Sequence, residues 1–239
     1  MDFVYTGGGT MERRSFLSSR KHHGQMSESF LTASLLSLSG GLQDAYTYLA
    51  RGEVFANAQT GNIVLMSVRL FEGSWTQAIR YLVPLTAFFL GVLTAELMHL
   101  RYKKMERFHW RQLVLLGEIV LLAAVGFLPQ SWNLLANSVV SFACAMQVQA
   151  FRKVDGYAFA STMCIGNLRS GTESLCAYWS CGAPQARKKT GRYFGVIALF
   201  GVGAGLGGVL LPYLGFGTIW ISCALLTAAF VVMFAREEQ

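Results

Sequence analysis

Charged residues are scarce in this sequence. Asp, Glu, Lys and Arg make up 14% of its 239 residues and hydrophobic residues 53%, whereas a soluble domain carries roughly 25% charged residues. A water-facing surface for a chain of this length cannot be built from so few charges, which excludes an ordinary soluble enzyme. The apolar content equally excludes a disordered chain. Cysteine gives no framework either. Cys144, Cys164, Cys176, Cys181 and Cys223 include no Cys-x-x-Cys spacing, so a disulfide scaffold, a zinc site and a redox pair all lack their signature. Of the histidines, His22 and His23 sit in the N-terminal arm, while His99 and His109 flank a basic loop. That is the wrong depth and spacing for haem or an intramembrane metal. No His-Glu-x-x-His and no Gly-x-Ser-x-Gly occurs, and no nucleotide-binding loop. No enzyme activity, cofactor or metal is expected, and any transport would be gradient-driven or passive.

What the sequence does have is long apolar runs separated by bunched charge. The charged side chains crowd into residues 1–28, 101–111, 184–192 and 236–239. A membrane helix needs about 20 mostly apolar residues to cross a hydrocarbon layer about 30 Å thick. Six windows qualify as spans: 29–50, 78–100, 112–128, 133–151, 193–214 and 216–235. Pro129 and Gly215 fall in tight turns between spans, where helix breakers belong. The first 25 residues are polar and basic, with no apolar stretch before Phe30, so no cleaved signal is expected.

Two further segments, Ala56 to Phe71 and Ala158 to Cys181, are apolar but unlike spans. Each holds a Gly-Asn pair and charge, Arg69 in the first and Arg169 with Glu173 in the second. Basic residues in short loops stay on the cytoplasmic side. The arm carries Arg13, Arg14, Arg20 and Lys21. Loop 101–111 carries Arg101, Lys103, Lys104, Arg107 and Arg111, and loop 184–192 carries Arg187, Lys188, Lys189 and Arg192. Loops 129–132 and 215–217 carry none. Full crossing by both Gly-Asn segments would put loop 101–111 outside. Re-entry by both keeps the three basic regions and the C-terminus inside, and this is the reading adopted.

The two halves repeat around those segments. Gly41-Leu42-Gln43-Asp44-Ala45 loosely matches Ala145-Met146-Gln147-Val148-Gln149. Gly52-x-x-Phe55-Ala56 matches Gly156-x-x-Phe159-Ala160 at the same offset of 104, and after one inserted residue Thr60-Gly61-Asn62-Ile63 matches Ile165-Gly166-Asn167-Leu168. Three spans per half is an odd number, so the second half is inverted relative to the first. The expected fold is an all-α membrane protein with a cytoplasmic arm (1–28), one polytopic domain (29–235) and a cytoplasmic tail (236–239). Within the domain, repeat one covers 29–128 and repeat two covers 133–235. Inverted repeats with interrupted helices recur in transporters, because irregular backbone at membrane depth survives only where protein or water satisfies it. Gene duplication that merely stabilises a bundle yields the same pattern.

The motifs also carry a family likeness. Gly41-Leu42-Gln43-Asp44-Ala45-Tyr46 followed by Val54-Phe55-Ala56-Asn57-Ala58-Gln59-Thr60-Gly61-Asn62 resembles the YoaK-type family of small bacterial membrane proteins. Thr162-Met163-Cys164-Ile165-Gly166-Asn167-Leu168-Arg169-Ser170 looks like that family's second element, with Ile165 where Thr is more usual. The resemblance covers about residues 28–235. It implies a multi-spanning inner-membrane protein, a small-molecule transporter of unassigned substrate.

Asp44 is the leading candidate for binding substrate or a coupling ion. A charge at bilayer depth costs about 2.5–3.5 kcal/mol on insertion scales, so it should face protein or a water-filled cavity. Gly40 and Gly41 allow close approach beside it and Tyr48 shares its face. A structural carboxylate bonded to nearby backbone is the alternative. Glu118 is deep enough to need a partner, and Glu96 sits near the interface beside His99 and Arg101. Gln59, Thr60, Gly61, Asn62, Gly166 and Asn167 are expected to line the meeting point of the re-entrant segments, or to tie them together. Arg169 either pairs with Glu173 at i+4 or attracts an anionic substrate. Gln147 and Gln149 add hydrogen bonds to a pathway or between helices.

The run Gly201-Val-Gly203-Ala-Gly205-Leu-Gly207-Gly208 reads as close helix packing, within the chain or across a homo-oligomer. The net charge of +7 fits attraction to anionic membrane lipids, and nucleic acid is not needed to explain it. The leading expectation is a secondary transporter moving a small polar or charged molecule. A passive channel and a non-transporting membrane partner or sensor are the alternatives.

Overall fold

A computed structural model describes residues 29–102, 110–154 and 156–234. The basic arm, most of loop 101–111 and the tail, with the expectations placed on them, lie outside the described residues. The chain is all-α. Its helices are α1 (Phe30–Ala50), α2 (Gln59–Phe71), α3 (Trp75–Tyr102), α4 (Trp110–Val125), α5 (Asn133–Ala150), α6 (Cys164–Cys181), α7 (Pro184–Leu214) and α8 (Ile219–Phe234). Short 3-10 turns at Gln130–Trp132 and Gly215–Thr218 lead into α5 and α8. A minimal antiparallel hairpin pairs Lys153–Val154 with Tyr157–Ala158.

Ser29 starts α1 by accepting from the Thr32 amide at 3.2 Å, the usual side-chain cap for an orphan N–H. Gly215, at φ +54, ends α7 with a conformation that a side chain would resist. The basic stretch 184–192 is helical rather than a loop. Pro184 occupies the first turn of α7, where its missing N–H costs nothing, and Lys and Arg are good helix formers. Helix α7 therefore begins well before the apolar window at 193.

The packing relates the two halves of the chain. Helix α1 lies against α7 and α8, and α5 lies against α3 and α4; α2 packs on α3 and α6 on α7, with α4 against α8. Exchanging α1 with α5, α2 with α6, α3 with α7 and α4 with α8 turns each of these contacts into another of them. The first helix of each half is thus held by the last two helices of the other half.

Glycines make this interlock possible. A Cβ on Gly41 would run into the Phe200 carbonyl and stand 2.9 Å from the Ala204 amide, and a Cβ on Gly203 would run into the Leu38 carbonyl. On α3, a Cβ on Gly91 would meet the carbonyl of Phe142, the residue 104 positions after Leu38. The glycine run on α7 therefore serves two faces. Gly203 and Gly207 seat α1, while Gly201 and Gly205 face open space.

Two stretches are long and apolar enough by composition to cross a membrane, Trp75–Tyr102 and Pro184–Phe234. The other three windows read as spans are shorter or more polar for a physical reason visible in the packing. Helices α1 and α5 are inner elements that bury Ser37, Ser39, Gln43, Asn137, Ser141 and Gln147 against protein. The exterior is apolar, with Phe71, Phe127, Ile165, Trp179 and Tyr213 largely exposed, a surface suited to lipid rather than water.

Arg51, just past the end of α1, is completely buried. Its guanidinium donates to Tyr46 Oη at 2.8 Å, the Val125 carbonyl at 3.0 Å, and the Pro129 carbonyl and Asn133 Oδ1 at 3.3 Å each. It stacks 3.8 Å from the centre of the Phe216 ring, and its own carbonyl accepts from Asn137 Nδ2 at 2.9 Å. One planar cation thereby satisfies the carbonyl end of α4 and fastens both halves at one end of the bundle.

Two stability predictions follow from these contacts, both read from thermal unfolding of the purified protein. Gly41→Leu is expected to cost about 3 kcal/mol or more, whereas Gly201→Leu on the open face changes stability by less than about 0.5 kcal/mol. Arg51→Met is expected to cost about 2–4 kcal/mol and Arg51→Lys to recover only part of it. An unchanged unfolding midpoint for Arg51→Met would rule out the fastening role.

Candidate functional site

Two non-helical stretches enter the interior, residues 54–57 before α2 and 159–162 before α6. Their backbone groups need partners, and an asparagine supplies them in each half. Asn62 Nδ2 donates to the Phe55 carbonyl at 2.7 Å while its Oδ1 accepts from the Phe55 amide at 3.1 Å. Asn167 does the same to Ala160, at 2.7 and 3.4 Å. Each amide acts as a one-residue strand partner, reaching seven residues back along the chain. The bonded residues are 105 apart, not 104. The inserted residue of the second half therefore lies before Phe159, which corrects the register read from sequence: Phe55 corresponds to Ala160, and buried Val54 and Ala56 correspond to buried Phe159 and Ser161. The two turns upstream still correspond, with Gly52 at φ +91 and Gly156 at φ +81.

With the loops closed in this way, the starts of α2 and α6 face a single cavity of about 910 Å³. Asp44, Gln59, Thr60, Gly166 and Asn167, all singled out in the sequence, reach its wall. Asp44 is 7% exposed. Its Oδ1 accepts from the Asn57 amide at 2.7 Å and stands 3.5 Å from Asn57 Nδ2. The irregular backbone thus fixes the carboxyl while leaving it at the cavity. Gln59 Nε2 donates to the Ala56 carbonyl at 2.7 Å, and Gln59 Oε1 accepts from Asn62 Nδ2 at 3.0 Å.

Neither Ala58 nor Met163 caps the helix it precedes with a side chain; the Gln59 and Gly61 amides of α2 donate to the Asn57 and Ala58 carbonyls, and the dipoles of α2 and α6 bring partial positive charge to the wall. Much of the remaining lining is aromatic: Tyr48 stacked on Phe55 at 4.6 Å, with Phe88, Phe159 and Phe200. Phe88 and Phe200 each stand three residues before the crossing glycines Gly91 and Gly203.

Four of the sequence candidates lie elsewhere. Gly61 and Asn62 sit behind the wall, Gly61 against the Phe55 ring. Arg169 is exposed and pairs with Glu173 at 2.9 Å, the i+4 arrangement that the spacing offers. Glu118 is fully buried outside the cavity, among side chains from α1, α5 and α8. Gln43 Nε2 donates to Glu118 Oε1 at 3.3 Å, Ser222 Oγ at 2.9 Å and Ser39 Oγ at 3.0 Å. Ser39 and Ser222 also bond each other, and Cys144 Sγ donates to Gln43 Oε1. Glu118 Oε2 is buried without a hydrogen-bond partner.

Near the periphery, Glu96 accepts from Arg152 at 2.6 Å and from Gln149, with His99 at 3.8 Å. Gln147 Nε2 donates to Ser161 Oγ at 2.8 Å in the second irregular stretch. The sequence reading missed Arg51, Asn57, Phe88 and Phe200 as key positions. Asn57 was within the quoted motif, but only its contact with Asp44 distinguishes it from its neighbours.

Comparison with known proteins places this geometry in a family. Residues 32–232 match the model of a protein family of unknown function, DUF1275. The UPF0700 transmembrane protein YoaK of Bacillus subtilis (strain 168) is 29% identical over 152 residues, 59% of this chain and 65% of that protein. The matched region thus spans just under two thirds of this relative's length. No solved structure matches the chain. A family match over most of the chain, a transmembrane relative and a lipid-suited exterior converge: the chain is a membrane protein and belongs to the DUF1275 family, the YoaK-type group that its motifs resemble.

Proposed function

We propose that this protein is a secondary transporter of the cytoplasmic membrane, and not an enzyme, moving a small molecule through the cavity between α2 and α6. In this reading α1, α3, α4, α5, α7 and α8 span the bilayer and α2 and α6 re-enter from opposite sides. The second half is inverted relative to the first, and both termini are cytoplasmic. The observation that carries the proposal is the convergence on one cavity of Asp44, the only acidic side chain in its lining among the described residues, with the starts of two interrupted helices from matching positions in the two halves. Half-helices that end at a central site recur in transporters of this plan, because their free N–H groups can bind a solute and release it. The exchanged packing of the halves supports it further, since two similar units about a central site can rock between outward and inward openings.

Cysteine labelling in intact cells, in a cysteine-free background, tests the arrangement. Gln59→Cys should react with an impermeant maleimide from outside, and Ile165→Cys and a cysteine in loop 101–111 only after permeabilisation. Labelling of the loop from outside would mean that α2 crosses fully, and would overturn the inverted arrangement. In proteoliposomes screened against a small-molecule library, Asp44→Asn is expected to lower flux of a transported compound about tenfold or more. Unchanged flux by a normally inserted variant would remove Asp44 from the cycle.

A further inference from the structure

The lining of the cavity has a chemical bias that narrows its ligand. We infer that the cavity binds a molecule with an ammonium group on an apolar, aromatic-sized body, its nitrogen seated at the Asp44 carboxylate. This inference rests on the proposed reading of the cavity as the substrate site.

Of the described residues, Asp44 is the only acidic one in the lining, and no described Lys, Arg or His lines the cavity. Among the described residues no cation pairs with Asp44. Arg51 is committed to carbonyls and Phe216, and Arg169 to Glu173 on the exterior. Beside Asp44, Asn57 turns its amide nitrogen to the carboxylate, 3.5 Å from Oδ1, and to the Gly40 carbonyl at 3.4 Å. A carboxylate held at the cavity wall with no cation beside it is the complement of an N–H-bearing positive group.

Volume and wall point the same way. A space of about 910 Å³ is that of a site for an organic molecule, not for one bare metal ion. Tyr48, Phe55, Phe88 and Phe200 supply ring surface, which attracts cations and accepts an apolar body. The starts of α2 and α6 each contribute about half an elementary positive charge, the opposite bias. They contact no ligand-ready side chain of their own sign, whereas Asp44 carries a whole charge. A carboxylate on the same ligand would meet these helix starts, so a zwitterion satisfies the inference as well as a simple amine does.

The test uses the purified full chain and four probes of similar shape: 2-phenylethylamine, phenylalanine, 2-phenylethanol and 3-phenylpropionate. One or both of the ammonium-bearing probes should raise the thermal unfolding midpoint in a saturable way, and the alcohol and the carboxylate should not. Asp44→Asn should weaken the binding about 10- to 100-fold, the size of a bond to a charged group. Phe88→Leu, which preserves the apolar wall, should weaken it less. Equal binding of the alcohol and the amine, tighter binding of 3-phenylpropionate, or undiminished amine binding by a monodisperse Asp44→Asn protein would each overturn the inference. The ranking of probes on the unmodified chain decides the matter even where a variant fails to fold. Flux is read separately in proteoliposomes. Amine binding without flux would sink the transport reading and leave the ligand class standing; flux of only neutral or anionic compounds would do the reverse.

Discussion

Non-helical backbone inside a membrane protein must have its N–H and C=O groups satisfied by protein or by water in a cavity, and the architecture of this chain depends on how that is done. Two interior stretches face the problem, and in each one asparagine seven residues downstream takes both polar groups of a single residue. The bond does more than satisfy backbone. It draws the start of the following short helix back onto the stretch, so that α2 and α6 both begin at the cavity. The cavity exists because those two helices start where they do. Asp44 is fixed by the amide of Asn57 in the same irregular run, so loop closure and placement of the acidic group are one event.

Holding two such interruptions in register requires rigid surroundings. The interlocked packing provides them: α1 and α5 are each gripped by two helices of the opposite half, close enough at Gly41, Gly91 and Gly203 that backbone meets backbone. At one end Arg51 joins α1, α4 and α5 through four hydrogen bonds. Deeper in, Gln43 joins Glu118 of α4 to Ser222 of α8, residues 104 apart in sequence that meet where the halves face each other. A buried carboxyl with one unpartnered oxygen is costly in such a setting. Its hydrogen-bond partner is the neutral amide of Gln43, and it does not line the cavity served by Asp44.

The symmetry is broken where chemistry is placed. Val148 stands where Asp44 would repeat, Thr162 where Asn57 would repeat, and Ile165 where Thr60 would repeat. The backbone scaffold is thus duplicated while the polar groups are concentrated on the first half, leaving one acidic pole in a largely apolar and aromatic chamber. A solute in that chamber meets a polar anchor on one side and ring surface on others.

Much of this was legible in the sequence. The dearth of charge announced the membrane, and the apolar windows located six helices because burial in lipid demands continuous apolar surface. The two Gly-Asn pairs marked the irregular elements through the asparagine amide, which offers both a donor and an acceptor; the turn expected at the glycines is absent, since both pairs lie in the first turn of α2 or α6. Asp44 stood out because a carboxylate in an apolar run needs a reason. Other features were settled only by the tertiary structure. Whether Asn62 lines a pathway or binds backbone depends on which residue lies within 3 Å of its amide, and no spacing rule gives that. Arg51 looked like an ordinary residue at a helix end, because its four acceptors come from α1, α4 and the approach to α5. The one-residue shift in the repeat was invisible to identity matching, since Phe159 falls in line with Phe55 by letter while the hydrogen bonds align Ala160. The sequence determined which segments are helical and where their interruptions fall, through local propensity and apolar patterning. Which polar groups became structural ties and which were left at the cavity was decided by long-range packing, which alone brings the two halves together.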